Sequence, residues 1–415
     1  SARLPKALLI ASAFLAVMGL GTPLPTVPFL IVGAAVGAAG YGIRFTREKA
    51  KARAGTAEDG GPGEGAEGEE VAITAHPTPV TLELSPELAP LVQKDGGADM
   101  MQKIGMLRRE LYETIGMRFP GVRLRAKRPV GENAWLIRIF DIPLFRGAIK
   151  IDQGFSNDPP SKFVGLTAEA TTDPITGREG SFLDLKDAPR VKQFGSDLKP
   201  PDFYVVMQLG VALRRHAADF LGIQETQALL DEAGRGIPAL VKEVVPKLVP
   251  LTSLTEVMQR LVQEEVSIRD FRAILQSLAR WGQVEKDPAT LAEYVRSDLK
   301  QQISFAFAKA NRELAVYLLD PQIESSIRSA IQRTAQGSYL ALDPETARKI
   351  MGSARKSLGN LPPTASRPII LTAVDVRRYL KKLLELDLPH VVVLSYQEIS
   401  PLLTVQPVGR ISLGR

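Results

Sequence analysis

The stretch Val266-Ser-Ile-Arg-Asp-Phe-Arg-Ala-Ile-Leu-Gln-Ser-Leu-Ala-Arg-Trp281 carries a clear helical pattern. Apolar residues recur at intervals of three and four, which places them on one face of a helix: Ile268, Phe271, Ile274, Leu275 and Leu278. Ser267 is followed three residues later by Asp270, a spacing typical of a capped helix start. The stretch therefore predicts an amphipathic helix that Ser267 caps.

Three polar residues of this stretch, Arg269, Asp270 and Arg272, are too closely spaced to belong to a core. Such residues are either solvated or in contact with a partner, and the pattern alone leaves both interpretations open. The surrounding residues 226–305 are nearly all helical in pattern. One of their helices is predicted to begin at Pro288, with Asp287 as its cap.

Strands and helices alternate on both sides of this helical region. Upstream, strands are predicted at Val80–Leu84, Val122–Arg125 and Trp135–Ile142, and a helix at Phe203–Leu221 that runs on through Asp231. Downstream, helices start at Asp320-Pro321 and Asp343-Pro344, and short buried strands are predicted at 369–372 and 391–394. Each side is therefore expected to be a mixed α/β unit.

Composition limits the possible functions. A chain of 415 residues with 45% apolar and 24% charged residues has room for two to four domains. It contains no cysteine, so thiolate metal sites and disulfides are excluded. The net charge of +6 resides in residues 1–53, which hold seven basic residues and one acidic residue. The remaining residues are neutral overall, which argues against nucleic-acid binding.

The basic excess flanks two apolar runs, Pro5 to Leu20 and Val27 to Tyr41, which are separated by a Gly-Pro-rich turn. Each run approaches the length needed to cross a bilayer, and one continuous span would carry prolines through its middle. Residues 1–43 therefore predict a transmembrane hairpin with both ends on the cytoplasmic side. A secretory signal peptide is the alternative interpretation, but it accounts for the second apolar run less well than a transmembrane hairpin does. Residues 44–78 follow as a basic stretch and an acidic, glycine-rich linker.

Four segments resemble one family, the large export-gate subunit of type III secretion, known as FlhA/SctV. They are the opening stretch, Gln224-Glu225-Thr226-Gln227-Ala228-Leu229-Leu230-Asp231, the turn Thr171-Thr172-Asp173-Pro174-Ile175-Thr176-Gly177, and the run from Pro389 to Ile399. In that family a longer multi-helix membrane portion precedes the hairpin. The resemblance thus implies an α+β multidomain protein with the last two transmembrane helices, a linker and a four-subdomain cytoplasmic region.

The resemblance also gives subdomain boundaries. It implies an α/β subdomain 1 at 79–133 and 196–223, and an inserted, ferredoxin- or RRM-like α+β subdomain 2 at 134–195. An all-helical subdomain 3 at 224–305 and an α/β subdomain 4 at 306–415 would follow. In the family, subdomain 3 mediates contacts around a nine-membered ring, which favours a ring interface for Arg269, Asp270 and Arg272.

The implied function is docking of export chaperones with their substrates and delivery of unfolded substrates to a pore in the bacterial inner membrane. The other implied partners are further copies of the chain, membrane proteins of the export apparatus, its ATPase complex and the lipid bilayer. Carried over by position, Asp173 is the acidic residue of the chaperone groove, and Thr176, Phe182 and Met207 complete it. Flagellar members carry Phe at the position of Thr176 and Thr at that of Met207, so the flagellar chaperone specificity is not expected.

Two other classes of function remain as alternatives. A membrane-tethered enzyme would need convergent titratable groups or a phosphate-binding loop, and the sequence contains no Walker motif and no His-Glu-x-x-His. A nucleic-acid-binding protein would need an aromatic and basic platform, and only 6% of the residues are aromatic. We therefore predict no catalytic, cofactor-binding or metal-ligating residue, and a role in protein binding, as an export gate or another membrane-anchored scaffold.

Overall fold

The computed structural model describes residues 77–175, 177, 179–334, 337–359 and 367–413. The hairpin predicted for residues 1–43 and the linker up to residue 76 lie outside this range. Among the residues described, we find no helix that is both long enough and apolar enough to span a bilayer.

A four-stranded sheet opens the described chain. Its strands, in the spatial order β2-β1-β3-β4, are β1 (Val80–Leu84), β2 (Val122–Arg125), β3 (Ala134–Ile139) and β4 (Ile142–Ala148). β2 is parallel to β1, whereas β3 and β4 run antiparallel to their neighbours. The sheet therefore crosses the subdomain boundary predicted at residue 134, because β3 pairs along the whole length of β1.

Two helices lie between β1 and β2, a short α1 (Pro90–Gln93) and the longer α2 (Ala98–Ile115). The buried side of α2 consists of residues at helical spacing: Met100, Ile104, Leu107, Leu111 and Ile115. The helix ends at Gly116, whose φ of +91° is in the left-handed region, and the Gly116 amide donates to the Tyr112 carbonyl.

A three-stranded antiparallel sheet forms the core of the insert. It consists of β5 (Gln153–Ser156), β6 (Ala168–Thr172) and β7 (Glu179–Asp184), in the order β5-β7-β6. A short helix α3 (Ala188–Gln193) follows, and the chain then returns to the first unit as α4 (Pro201–Arg215). α4 packs on α2 closely, because Gly210 leaves room for the Leu107 side chain.

The middle of the chain is helical, as the apolar pattern predicts, and it consists of six helices. They are α5 (Ile223–Gly236), α6 (Pro238–Val244), α7 (Leu251–Gln263), α8 (Phe271–Trp281), α9 (Pro288–Asp298) and α10 (Lys300–Phe307). Asp287 caps α9 as predicted, since its carboxylate accepts from the Thr290 amide at 3.0 Å. The prediction that one helix runs from Phe203 through Asp231 is wrong, because α4 ends at Arg215 and a new helix begins at Ile223.

The helix predicted from the opening stretch is shorter than expected, and its cap is a different residue. α8 begins at Phe271, and the Asp270 carboxylate accepts from the Ala273 amide at 3.0 Å. Residues 266–270 instead cross the end of α2, where the Ile268 amide donates to the Ile115 carbonyl at 2.7 Å. The last carbonyls of a helix lack partners within it, and this segment supplies one. Ser267 therefore does not cap α8.

The C-terminal part is a parallel α/β unit. Its sheet has the order β12-β11-β8-β13, and a separate hairpin joins β9 and β10. In chain order the elements are β8 (Glu313–Leu319), α11 (Pro321–Ser329), β9 (Ile331–Thr334), β10 (Gly337–Leu340), α12 (Pro344–Leu358), β11 (Ile369–Thr372), α13 (Val374–Leu384), β12 (Val392–Ser395) and β13 (Thr404–Ile411). Asp320 and Asp343 cap α11 and α12 as predicted.

A buried ionic cluster joins this unit to the helical part of the chain. Arg377 of α13 is 1% exposed and donates to Glu293 of α9 through Nε at 2.6 Å and to Glu264 through Nη1 at 2.6 Å. Arg296 of α9 is also buried and donates through Nε to Glu398 at 2.7 Å. Charges withdrawn from water require partners of this kind, so the cluster ties α13 and α9 to Glu264, just after α7, and to the segment after β12.

The cluster makes stability depend on pH in the acidic range. Burial alone would raise the pKa of Glu264, but the charges of Arg377 and Arg296 lower the pKa to about 2. Because the folded pKa is below the ordinary value of 4.5, the stabilisation is complete above pH 4.5 and is lost as pH falls towards 2. We expect the free energy of unfolding to drop by up to about 3 kcal/mol from this group.

Urea unfolding at stepwise pH, followed by tryptophan fluorescence, measures this effect. Glu264→Gln is expected to lose much of the pH dependence between 5 and 2. Glu256→Gln is the matched control, since Glu256 is 46% exposed in its pair with Arg260 on the same helix. Equal pH dependence in wild type and Glu264→Gln would contradict the assignment.

Candidate functional site

The first candidate surface lies where the insert meets α4. Asp173 is in the turn after β6, Phe182 is in the middle of β7, and Met207 is in the second turn of α4. Thr176, the fourth residue predicted for this surface, lies outside the described residues. The structure brings the other three together around the N-terminal half of α4.

Asp173 is not an exposed acidic group. It is 6% exposed, and its two carboxylate oxygens accept hydrogen bonds within the chain. Oδ1 accepts from the Ile175 amide at 3.0 Å, and Oδ2 accepts from Gln208 Nε2 at 2.6 Å. Arg215, two helical turns beyond Gln208, donates to the Ile175 carbonyl at 3.2 Å. The turn is therefore held against α4 at two points.

Aromatic rings pack behind this turn. Phe182 and Phe155 of the insert lie 5.8 and 4.8 Å from the Tyr204 ring of α4, measured between ring centroids. Lys199 lies over the Phe155 ring at 6.0 Å and donates to the Met207 sulfur at 3.4 Å. Burial lowers the pKa of Lys199 against the opposing effect of Asp197 and Asp173. The packing leaves Phe182 and Met207 half-buried.

An apolar stripe continues from Met207 along the outer side of α4. Phe203 is 48% exposed, and Met207 and Val211 are half-buried. Residues four apart lie above one another on a helix, so these three form one stripe. An exposed apolar stripe beside a polar turn is suited to receiving an apolar partner segment.

The second candidate surface lies at residues 268–272. Arg269, Asp270 and Arg272 are all exposed, which agrees with a surface position. Asp270 is also committed inside the chain, because it caps α8 and accepts from Gln302 Nε2 at 3.0 Å. Arg269 donates through Nη1 to the Glu113 carbonyl of α2 at 3.3 Å. Arg272 is the member with the most freedom to meet a partner, since α8 directs it away from the core.

A cavity of about 420 Å³ adjoins these residues. It lies between the end of α2, the helix α5 and residues 268–272, and its apolar lining includes Met117, Leu229 and Ile268. Arg118, Glu225 and Glu232 contribute charged groups. The opening stretch thus forms one wall of a concave surface, which its sequence pattern did not reveal.

Within the described ranges, no three His, Asp or Glu side chains are grouped so that they could hold a metal ion. His216 instead contacts Asp219 at 2.6 Å and packs edge-on against Phe145. Gln208, Lys199 and Tyr204 belong to the first candidate surface but were not predicted from the sequence. Tyr204 and Gln208 lie in a helix that its apolar pattern already explains, and Lys199 lies in the loop before that helix.

Comparison with known proteins identifies the family of this chain. The model of the FHIPEP family matches residues 2–404. The low calcium response locus protein D of Yersinia pestis is 33% identical over 428 residues, which cover 99% of this chain and 60% of that protein. The chain thus spans about three fifths of the length of that curated relative.

Two solved structures are similar over most of the described chain. One is a chain in the structure of the Chlamydia pneumoniae CdsV and CdsO protein complex, with 38% identity and a TM-score of 0.76, covering 81% of this chain and 98% of that one. The other is the nonameric SctV-C of EPEC, with 27% identity and a TM-score of 0.69, covering 82% and 100%. The resemblance seen in the four sequence motifs is therefore confirmed, and the chain belongs to the FHIPEP family.

Proposed function

We propose that this chain is part of the export gate of a type III secretion apparatus. In this proposal it forms a ring anchored in the bacterial inner membrane, with its large C-terminal region in the cytoplasm. The ring docks chaperone–substrate complexes and passes unfolded substrates to the export pore. The observation that carries the proposal is the family match over residues 2–404, together with the similarity to a nonameric SctV-C.

The proposed role consists of docking and release, without a chemical step. The apolar stripe at Phe203, Met207 and Val211 offers a partner segment a binding surface next to the insert. A ring displays many copies of that surface, so weak contacts gain strength from high effective concentration. Further partners are the bilayer, other membrane proteins of the apparatus and its ATPase complex. A protein similar to CdsO is another proposed partner, since CdsO is in complex with CdsV in the similar structure.

Ring assembly is tested by reversing the charge of Arg272. If residues 268–272 form the ring interface, Arg272→Glu places a carboxylate there that either faces another negative charge or has no partner. We expect self-association to weaken by about tenfold or more. Mass photometry of the detergent-solubilised full chain measures the fraction in rings. Arg348→Glu, at an exposed position of α12, is the control. Unchanged rings with Arg272→Glu would remove this interface, and a chain that stays monomeric at every concentration would count against the proposed function.

Chaperone docking is tested at Met207. Met207→Lys replaces an apolar member of the stripe by a charge, and we expect the affinity for the cognate export chaperone to fall about tenfold or more. Isothermal titration calorimetry measures the affinity, with circular dichroism to confirm the fold. Val408→Lys, at an exposed apolar position in β13, is the control. Equal affinities for wild type and Met207→Lys would exclude the stripe as the docking surface.

A further inference from the structure

The contact between Asp173 and Gln208 joins the insert to the first unit, beside the Arg215–Ile175 hydrogen bond and the backbone pair of Phe155 and Lys199. Asp173 belongs to the turn of the insert, and Gln208 belongs to α4 of the first unit. Gln208 is 0% exposed and Asp173 is 6% exposed, so neither side chain offers a partner much surface. A direct docking role for Asp173 is therefore poorly supported by its position.

The chemistry of the pair fixes its orientation. An ionised carboxylate only accepts hydrogen bonds, so the Gln208 amide must present Nε2 to Asp173 Oδ2, as the 2.6 Å distance indicates. Gln208 Oε1 is then left buried without a hydrogen-bond partner among the described residues. The hydrogen bond to Asp173 therefore holds the Gln208 side chain in this orientation, although Oε1 is left without a partner.

The rest of the contact region depends on the same turn. Arg215 holds the Ile175 carbonyl from the same helix, and the amide of Gly177 closes the turn on the Asp173 carbonyl at 2.9 Å. Phe182 and Phe155 of the insert rest on Tyr204, one helical turn before Gln208. These aromatic side chains lie next to the apolar stripe. A shift of the turn along α4 would therefore move them relative to the stripe.

We propose that Gln208 is a positioning residue, which holds the insert against α4 through Asp173 and so sets the shape of the docking surface. In this view Asp173 affects partner binding without touching the partner. The part of the proposal that concerns binding rests on the proposed chaperone-docking function. The part that concerns the position of the insert does not.

Exchange of the two groups provides a specific test. Gln208→Glu places two carboxyl groups face to face, and at alkaline pH, where both are ionised, their repulsion breaks the contact. Asp173→Asn alone is tolerated, because the Gln208 amide can turn so that Oε1 accepts from the new amide. In the double variant Asp173→Asn/Gln208→Glu, the asparagine amide donates to the glutamate and the hydrogen bond is restored with reversed polarity. Loss in the single Gln208→Glu variant and rescue in the double variant are not expected from a general loss of stability.

The position of the insert is measured as the distance between two spin labels, by pulsed electron–electron double resonance. The chain has no cysteine, so labels at Lys192→Cys in α3 and Arg109→Cys in α2, both exposed, report on the insert and the first unit without background. We expect a broadened distance distribution for Gln208→Glu and a return to the wild-type distribution in the double variant. An unchanged distribution for Gln208→Glu, or no recovery in the double variant, would overturn the positioning role.

Calorimetry with the cognate export chaperone on the same four proteins completes the test. About tenfold weaker binding by Gln208→Glu, with recovery in the double variant, supports the effect on docking. Broadened distances with unchanged affinity would overturn that effect and leave the positioning contact standing. Failure of the wild type to bind would instead count against the proposed function, while the distance measurement still decides the contact.

Discussion

Arg377→Met is expected to lower the free energy of unfolding by about 3–5 kcal/mol, because it leaves the half-buried Glu264 and the buried Glu293 without the cation between them. Arg377 is 1% exposed, and its Nη1 and Nη2 both donate to Glu264, at 2.6 and 3.0 Å. Methionine fills part of the space but supplies no donor. Equilibrium unfolding in urea at pH 7 measures the loss, with Trp135 reporting on the first sheet and Trp281 on α8.

A surface ion pair provides the control for this variant. Arg355 pairs with Asp387 at 2.8 Å, and its side chain is 66% exposed. Exposed pairs contribute little, so Arg355→Met should cost about 0–1 kcal/mol. If Arg377→Met proved no more destabilising than this control, the cluster would not be what fastens the C-terminal unit to the helical part.

Gly116→Ala is expected to destabilise the chain by about 3 kcal/mol or more. Gly116 has a φ of +91°, which disfavours any side chain, and a Cβ there would lie 2.4 Å from the backbone nitrogen of Arg269. The neighbouring backbone cannot yield easily, because the Ile268 amide is hydrogen-bonded to Ile115. We therefore also expect residues 266–270 to separate from the end of α2, which would impair the proposed ring assembly through Arg272.

Gly96→Ala separates the two causes. Gly96 also has a positive φ, of +63°, but nothing lies within 4 Å of a Cβ at that position. Its cost should be only about 1–2 kcal/mol, the conformational part alone. Urea unfolding and hydrogen exchange of residues 266–270 in both variants measure the difference. Similar losses for the two glycines would show that close approach to Arg269 is not important.

The sequence pattern predicted those elements whose side chains meet one large core. Helices that begin with Asp-Pro, at residues 287, 320 and 343, start where they were predicted, because the cap and the proline act locally. The start of α8 was predicted three residues too early. Ile268 fits the helical spacing, but its amide donates to the Ile115 carbonyl, which lies 153 residues earlier in the chain, at the end of α2.

The candidate site was predictable only by resemblance. Nothing local in the sequence shows that Asp173 meets Gln208, since the contact joins residues 35 positions apart. The cluster around Arg377 was missed for the same reason, as its carboxylates lie 84 and 113 residues away. The strand β13 was also missed, because Pro407 and Gly409 interrupt its pattern at a register shift.

The position of β13 affects how the protein is made. β8, the first strand of its sheet, lies between β11 and β13, and the partner on one side of it extends to Ile411. During synthesis on the ribosome, that edge of β8 stays unpaired until nearly a hundred further residues have emerged. An open strand edge invites pairing with other nascent chains. The C-terminal unit must therefore complete its folding late, and early chain termination would expose the protein to aggregation before the proposed ring could form.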